Sequence, residues 1–386
     1  MVQPIVAGIV AAITGFSSSF AIVLAGLAAV GANESQAASG LLIVCVTQGV
    51  LAIVLSLITK VPVKFAWSTP GAALLVATAG ITDRFNEAVA AFVVAAALIV
   101  LVGLWPALGR LISRIPRPIS NAMLAGILFP LCLAPVTAAA QIPMLAIPVI
   151  LVWLVLARLA PRWAVPASIV LAGVLLAVTV DTSWLNGANL LPHLEFVSPE
   201  FDPVVVVSIA LPLFIVTMAG QNIPGAAILT SFGYEPPVRS ALVGSGALSA
   251  VGALAGGITV NLAALTQALT AGPEAAADRS RRWIAPVAGG IADIVLGLFA
   301  GFATAFVLAS PPLLIQAVAG LALLGALVGA VTAAMEDPDD RLAAIGTFLV
   351  TASGITVVGI GSAFWGLIVG GIVLVWLRFR RPARAA

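Results

Sequence analysis

Asp293 is a carboxylate set deep inside an apolar run, Ala288-Gly-Gly-Ile-Ala-Asp-Ile-Val-Leu296. An acid surrounded by hydrocarbon is costly unless neutral or paired, so it is a functional candidate by default. With no Lys or Arg expected within any neighbouring apolar run, its chemistry would be to take up and release a proton. The alternative is a structural aspartate held by hydroxyls. The other polar residues inside apolar stretches are neutral: Ser17, Ser18 and Ser19, then Ser68 and Thr69, Gln221 and Asn222, and Thr259 and Asn261. Each set adjoins a glycine or proline, and Gly15–Ser19 and Gly220–Gly225 read as glycine-led polar interruptions in the first helix of each half. Gly71 and Gly225 let a ligand or another backbone come close, while Pro70 and Pro224 each remove a donor and free a carbonyl. Amides, hydroxyls and exposed helix N-termini together suit a small anion. Phe16 and Phe20 flank the serine run and offer it an aromatic wall. Helix-packing glycines and prolines are the competing explanation for any one of these motifs; four at matched positions favour a central site.

The elements that must position these residues follow from composition. The chain has 386 residues, 62% hydrophobic and 8% charged, with a mean hydropathy of +1.20. That is too little charge to cover a soluble globule, whose residues are about a quarter charged. A net charge of +2 excludes a nucleic-acid binder. Cys45 and Cys132 lie in apolar runs and read as small core residues, and His193 lacks the companions a metal site needs. No metal, cofactor or catalytic constellation is expected.

A membrane-spanning helix needs about 20 apolar residues. The runs predict helices near 5–30, 37–57, 88–104, 119–133, 144–159 and 165–180, and again near 204–229, 240–254, 283–308, 312–334, 342–358 and 361–376. Two apolar segments, Trp67–Ala79 and Gly257–Leu269, are too short to span as helices, and each falls third in its half. With them the count is seven plus seven, divided as residues 1–180, an external linker 181–202, and residues 203–386. The first apolar run reads as a retained helix, not a cleaved signal. With the N-terminus inside, all seventeen basic residues except Arg84 fall on the inner side, Lys60 and Lys64 among them. Both termini are then cytoplasmic, and the arginines of the tail, Arg378 to Arg384, would anchor on acidic lipid headgroups. Seven is odd, so the halves lie inverted, and paired interrupted segments in an inverted repeat point to a transporter's central site. Glu34 reads as a solvated loop acid and Glu336–Asp340 as an acidic cytoplasmic turn.

At Trp67-Ser-Thr-Pro-Gly-Ala-Ala-Leu-Leu75, Met218-Ala-Gly-Gln-Asn-Ile-Pro-Gly225 and Gly233-Tyr-Glu-Pro-Pro237 the chain resembles the benzoate/proton symporter family, BenE, along essentially its whole length. That family is similar in architecture to the uracil permease UraA, the nucleobase–ascorbate transporters and the sulfate-permease-like carriers. The resemblance implies an all-α polytopic membrane protein with fourteen segments in a seven-plus-seven inverted repeat. Segments one to four and eight to eleven would form a core, and five to seven and twelve to fourteen a gate. Segments three and ten would begin as short strands, at Phe65–Thr69 and at Gly257–Val260 ahead of Asn261, with Gln221 and Asn222 contributed by helix eight. The resemblance also allows a homodimer through the gate domains. Where nucleobase carriers commonly place acids, this chain has Gln221, Asn222 and Asn261, which suits an anionic substrate and leaves Asp293 as the coupling candidate.

The reading is a bacterial inner-membrane secondary transporter, not an enzyme, that imports a small aromatic carboxylate such as benzoate with a proton. Its binding set would be Phe16, Ser17, Ser18, Phe20, Ser68, Thr69, Gly71, Gln221, Asn222, Thr259, Val260 and Asn261. The partners are that anion, a proton and the bilayer. A nucleobase or inorganic-anion carrier of the same fold is the nearest alternative. A passive channel is disfavoured by the few polar residues in segments five to seven and twelve to fourteen. A prenyltransferase-type membrane enzyme would need two acidic motifs where this chain has one.

Overall fold

The computed structural model describes residues 2–105, 116–179, 192–264 and 266–379. Arg110, Arg114, the tail arginines beyond Arg378 and the first part of the expected linker, 181–191, lie outside the described residues. The first half runs α1 (Val2–Ala29), α2 (Glu34–Thr59), β1 (Phe65–Trp67), α3 (Thr69–Ala77), α4 (Phe85–Leu104), α5 (Arg117–Gln141), α6 (Pro143–Leu159) and α7 (Pro161–Thr179). The second half opens with α8, continuous from Pro203 to Ser231, then α9 (Val238–Ala253), β2 (Val260–Leu262) and α10 (Gln267–Ala271). It closes with α11 (Ile284–Gly297), α12 (Ala300–Ala309), α13 (Pro312–Ala334), α14 (Arg341–Ala352) and α15 (Ser362–Phe379).

Among the described residues seven helices are long and apolar enough to cross a membrane alone. The bent pair α11–α12, which turns by 56°, makes an eighth. Helices α6, α9, α14 and α15 are shorter, so fewer segments meet that criterion than the fourteen expected.

Local chemistry explains where elements begin and break. Asn33 and Gln36 form a reciprocal capping box at the start of α2. Glu34, expected in a loop, is the exposed first residue of that helix. Ser68 caps α3, its Oγ accepting from the Gly71 N–H at 3.1 Å, and Pro70 sits in the first turn where a missing N–H costs nothing. The serine run does not interrupt α1. Ser17 donates to the Ile13 carbonyl (2.7 Å), and Ser18 and Ser19 donate to that of Gly15 (2.9 and 3.2 Å), so the hydroxyls are absorbed by the helix itself. Nor is α8 broken at Gly220–Gly225. It widens into π-helical turns at Val206–Ala210 and Met218–Asn222, each just ahead of a proline (Pro212, Pro224) that cannot donate to the preceding turn.

Helix α14 ends at Ala352, short of the expected 358. A hairpin, Thr356–Val357 with Ile360–Gly361, then turns the chain through Val358 and Gly359, both at positive φ. That hairpin rests on the start of α8, where the Ser208 hydroxyl donates to the Gly359 carbonyl at 3.2 Å. The acidic turn after α13 is not wholly solvated: Asp340 is buried and bonded to Arg378 at 2.9 Å, which gives Arg378 a protein partner where a lipid one was expected.

Helix α1 packs on α3 and α11, α2 on α11 and α9, α4 on α9, and α5 on α13 and α14. The α2–α11 crossing is close because both backbones lack side chains there. A Cβ on Gly290 would lie 2.6 Å from the Gly49 carbonyl oxygen. Gly290→Ala should therefore force α11 off α2 and lower the melting temperature of the purified protein by several degrees. Gly325→Ala, in open space on α13, should leave it unchanged or raise it slightly.

Candidate functional site

The two short strands cross the fold to meet each other. Phe65 faces Leu262, Ala66 faces Asn261 and Trp67 faces Val260 in an antiparallel pair. The second strand is shifted from expectation: it begins at Val260, and Asn261 lies at its centre, not after it. Three-residue strands leave most of their backbone groups unpaired, and in a buried, water-poor setting each must find a partner. Helix side chains supply them. Gln48 on α2 accepts from the Trp67 N–H (2.8 Å), Ser249 on α9 from Val260 (2.8 Å), Asn222 on α8 from Leu262 (3.0 Å) and Gln221 from Ala264 (3.1 Å). Gln267 on α10 accepts from the Lys64 N–H at 3.0 Å, and the Thr259 carbonyl accepts from Ser68 at 2.9 Å. A buried hydroxyl chain, Ser68–Thr217–Thr259 at 2.8 and 3.1 Å, ties α3, α8 and β2 together.

Beside this junction lies a narrow cavity of about 30 Å³. Ala11, Gly15, Phe16, Ser18 and Ser19 of α1 line one wall, and Phe65, Ala66, Trp67 and Thr69 another. Gln48, Lys64, Gln221, Ala263, Ala264, Thr266 and Asp293 complete it. The Phe16 ring stacks on Phe20 (centroids 5.2 Å apart) and meets Trp67 edge-on at 5.9 Å, while the Trp67 indole N–H donates to Ser19 at 2.9 Å. The aromatic face of the cavity is thereby fixed in place.

Of the residues expected to bind, Phe16, Ser18, Thr69 and Gln221 line the cavity, as does Asp293, the expected proton-coupling residue. Phe20 backs Phe16 from behind, and Ser17 is turned to the Ile13 carbonyl. Ser68, Gly71, Asn222, Thr259, Val260 and Asn261 lie outside the lining, in the hydrogen-bonded frame around the strands. Asn261 is fully buried, with its amide between the Ser68 N–H (3.1 Å) and the Leu262 carbonyl (2.9 Å).

The largest departure is Lys64. Expected in a cytoplasmic connection, it is only about 2% exposed and forms an ion pair with Asp293 in the cavity wall. Asp293 is equally buried, and Gln48 lines the same cavity wall. The expectation that Asp293 has no basic partner, and that a bound anion would meet no formal countercharge, is therefore overturned. Lys64 stands one residue before β1, so the strand that runs into the protein carries it inward. Ser19, named with the serine run, lines the cavity too, and Gln48, Trp67 and Thr266 do so unforeseen. The signal available for Lys64 was its place directly ahead of the short third segment. On the other face of α8, Ile215, Ala219, Ile223 and Pro224 line a second cavity that reaches Arg117, Asn121 and Glu336 at the ends of α5 and α13.

An antiparallel strand pair joining the two halves of the chain, beside a polar cavity inside a bundle of apolar helices, is the architecture of a membrane transporter. The structure resembles the transmembrane domain of a cyanobacterial bicarbonate transporter, BicA, with a TM-score of 0.56 at 15% identity over 98% of both chains. It also resembles SLC26A9 with a TM-score of 0.63 at 13% identity, over 98% of this chain and 66% of that one. These likenesses establish the fold. In sequence, the family model described as benzoate membrane transport protein, BenE, matches residues 1–376. The chain is 40% identical to an inner membrane protein of Escherichia coli, YdcO, over 97% of its own length and 95% of the relative's. It is 34% identical to a benzoate membrane transport protein of Acinetobacter baylyi, over 95% and 92%. The chain belongs to the BenE family.

Ser249→Ala would strip the Val260 N–H of its acceptor, and a buried backbone group left unpaired costs about 1–3 kcal/mol. The variant should melt lower in detergent, whereas Ser17→Ala, away from both cavity and strands, should melt as the wild type does.

Proposed function

We propose that the protein is a secondary transporter that imports a small aromatic carboxylate, benzoate, together with a proton. The observation that carries this reading is a cavity with an aromatic face at Phe16 and Trp67 and, within the same wall, the Lys64 ammonium paired with Asp293. A flat ring gains from stacking and burial against the aromatics. A carboxylate gains a charge-assisted bond that neutral amides alone would not give. Ser18, Thr69 and Gln221 stand round the same space as neutral hydrogen-bonding groups. Family membership supports a benzoate-like substrate, and the neutral Gln221 and Asn222 leave nothing on that stretch of α8 to repel an anion.

A carboxylate entering with one proton moves no net charge, so a pH gradient suffices to drive uptake. Asp293 is the group that takes the proton. In this reading the protein sits in a bacterial inner membrane with both termini in the cytoplasm. Segments one to four and eight to eleven move as a core against a gate made of the rest, and dimers form through the gate. The β-hairpin resting on α8 then closes the outer end, and the cavity reaching Arg117 and Glu336 leads to the inner side.

Labelled benzoate should accumulate in proteoliposomes only with an inward proton gradient, and excess cold benzoate but not uracil should block it. Accumulation of uracil or an inorganic anion instead would keep the fold and overturn the substrate; conductance without saturation would favour a channel. Phe16→Ala should raise the KM for benzoate about tenfold through lost ring contact, since burying an aromatic side of a ligand is worth on the order of 1–2 kcal/mol.

A further inference from the structure

Lys64 and Asp293 form a costly pair. Taking two charges out of water costs several kcal/mol per ion, and their attraction only about repays it, so such a pair is weak as a stabilising device. Its place also makes it unnecessary to the strands. The backbone of Lys64 satisfies the junction through Gln267 and Ala263, and its ammonium takes no part in that. The ammonium instead lies in the cavity wall, on the segment that leads into Phe65–Trp67, and its partner sits on α11. A buried salt bridge joining two elements at a ligand cavity fits a switch better than a brace.

Charge bookkeeping shows what the switch would do. The empty site holds one ammonium and one carboxylate, net zero. Adding a benzoate anion alone would leave two carboxylates on one ammonium, net −1 in a low-dielectric interior. Adding a proton alone would leave the ammonium unpaired, net +1. Only both together restore net zero.

We propose that Lys64 is the counterion of the substrate carboxylate, and that it exchanges Asp293 for that carboxylate as Asp293 takes up a proton. The Nζ–H···Oδ contact to Asp293 breaks, an O–H bond forms on the Asp293 carboxyl, and Nζ–H donates to the incoming carboxylate. No electron transfer is involved. The exchange rests on the reading of the protein as an aromatic-acid/proton symporter and gives that symport its one-to-one ratio. Empty and loaded sites are the two electrically neutral states, so they are the two that cross between inner and outer faces. The surroundings leave this pair in charge. Cys45 on α2 is the titratable side chain sharing its field. Helix α1, which packs on α11, carries no charged residue, and β1 and α10 carry none either.

The test is calorimetric titration of purified protein with benzoate, in buffers of different ionisation enthalpy, between about pH 6 and about pH 9. Wild type should take up about one proton per benzoate at the alkaline end, with Kd rising about tenfold per pH unit wherever Asp293 is ionised in the empty site. Asp293→Asn should bind without proton uptake, with a Kd independent of pH and lower than wild type's at the alkaline end. Lys64→Gln should weaken binding at least about tenfold at the acid end, where wild type binds best. The double variant Lys64→Gln/Asp293→Asn keeps size and neutrality, so it should melt near wild type yet bind as weakly as Lys64→Gln. Wild-type binding with no proton uptake would overturn the exchange while leaving the substrate intact. So would a double variant that binds as tightly as wild type at acid pH. Absence of benzoate binding to wild type at every pH would overturn the substrate reading and the exchange with it.

Discussion

Two three-residue strands brought together in the interior of an apolar helix bundle impose the governing constraint. Every amide and carbonyl they carry must be matched, because no bulk water stands by to do it. Six elements answer that demand: α2 with Gln48, α3 with Ser68, α8 with Asn222 and Gln221, α9 with Ser249, α10 with Gln267, and β2 itself. The helices are therefore tied in position relative to the strands, and Gln221 and Asn222, which make two of these bonds, both lie in the second π-turn of α8. The cavity is the space left beside this framework. Its shape follows from backbone satisfaction, with ligand chemistry added by the few groups not already committed.

Those uncommitted groups are of two kinds. Phe16 and Trp67 present aromatic surface braced by Phe20 and Ser19, and Lys64 and Asp293 present opposite charges that cancel. Under the proposed exchange, such a site offers a hydrophobic face and one exchangeable charge, the features an aromatic acid would use. The same pair links α11 to the lead-in of β1 without adding much to stability, since paired burial roughly offsets its own desolvation cost.

Much of this was legible in the sequence. Hydropathy placed most helices within a few residues, because twenty-residue apolar runs have few other uses. The short segments three and ten stood out by length alone, and the family was readable from the motifs around Pro70 and Pro224. The polar residues named from the sequence gather around the strand junction and the cavity, and many of them serve the strand backbone, a task the sequence did not reveal. Ser68, Asn222, Thr259 and Asn261 are polar because strands need partners, and a one-dimensional reading cannot tell a hydroxyl serving backbone from one serving a ligand. Lys64 was missed for a related reason. Charge normally marks the end of a span, and only the inward course of β1 converts that boundary into a buried site. Continuity through Gly15–Ser19 was hidden too, since serines that bond back to their own helix look in sequence like a break.

The measurement that bears most directly on the central claim is a structure of the protein in a lipid nanodisc with benzoate bound. The account predicts the ring against Phe16 and Trp67, the carboxylate on the Lys64 ammonium, and Asp293 parted from it. Benzoate bound elsewhere, with the Lys64–Asp293 pair intact, would contradict it.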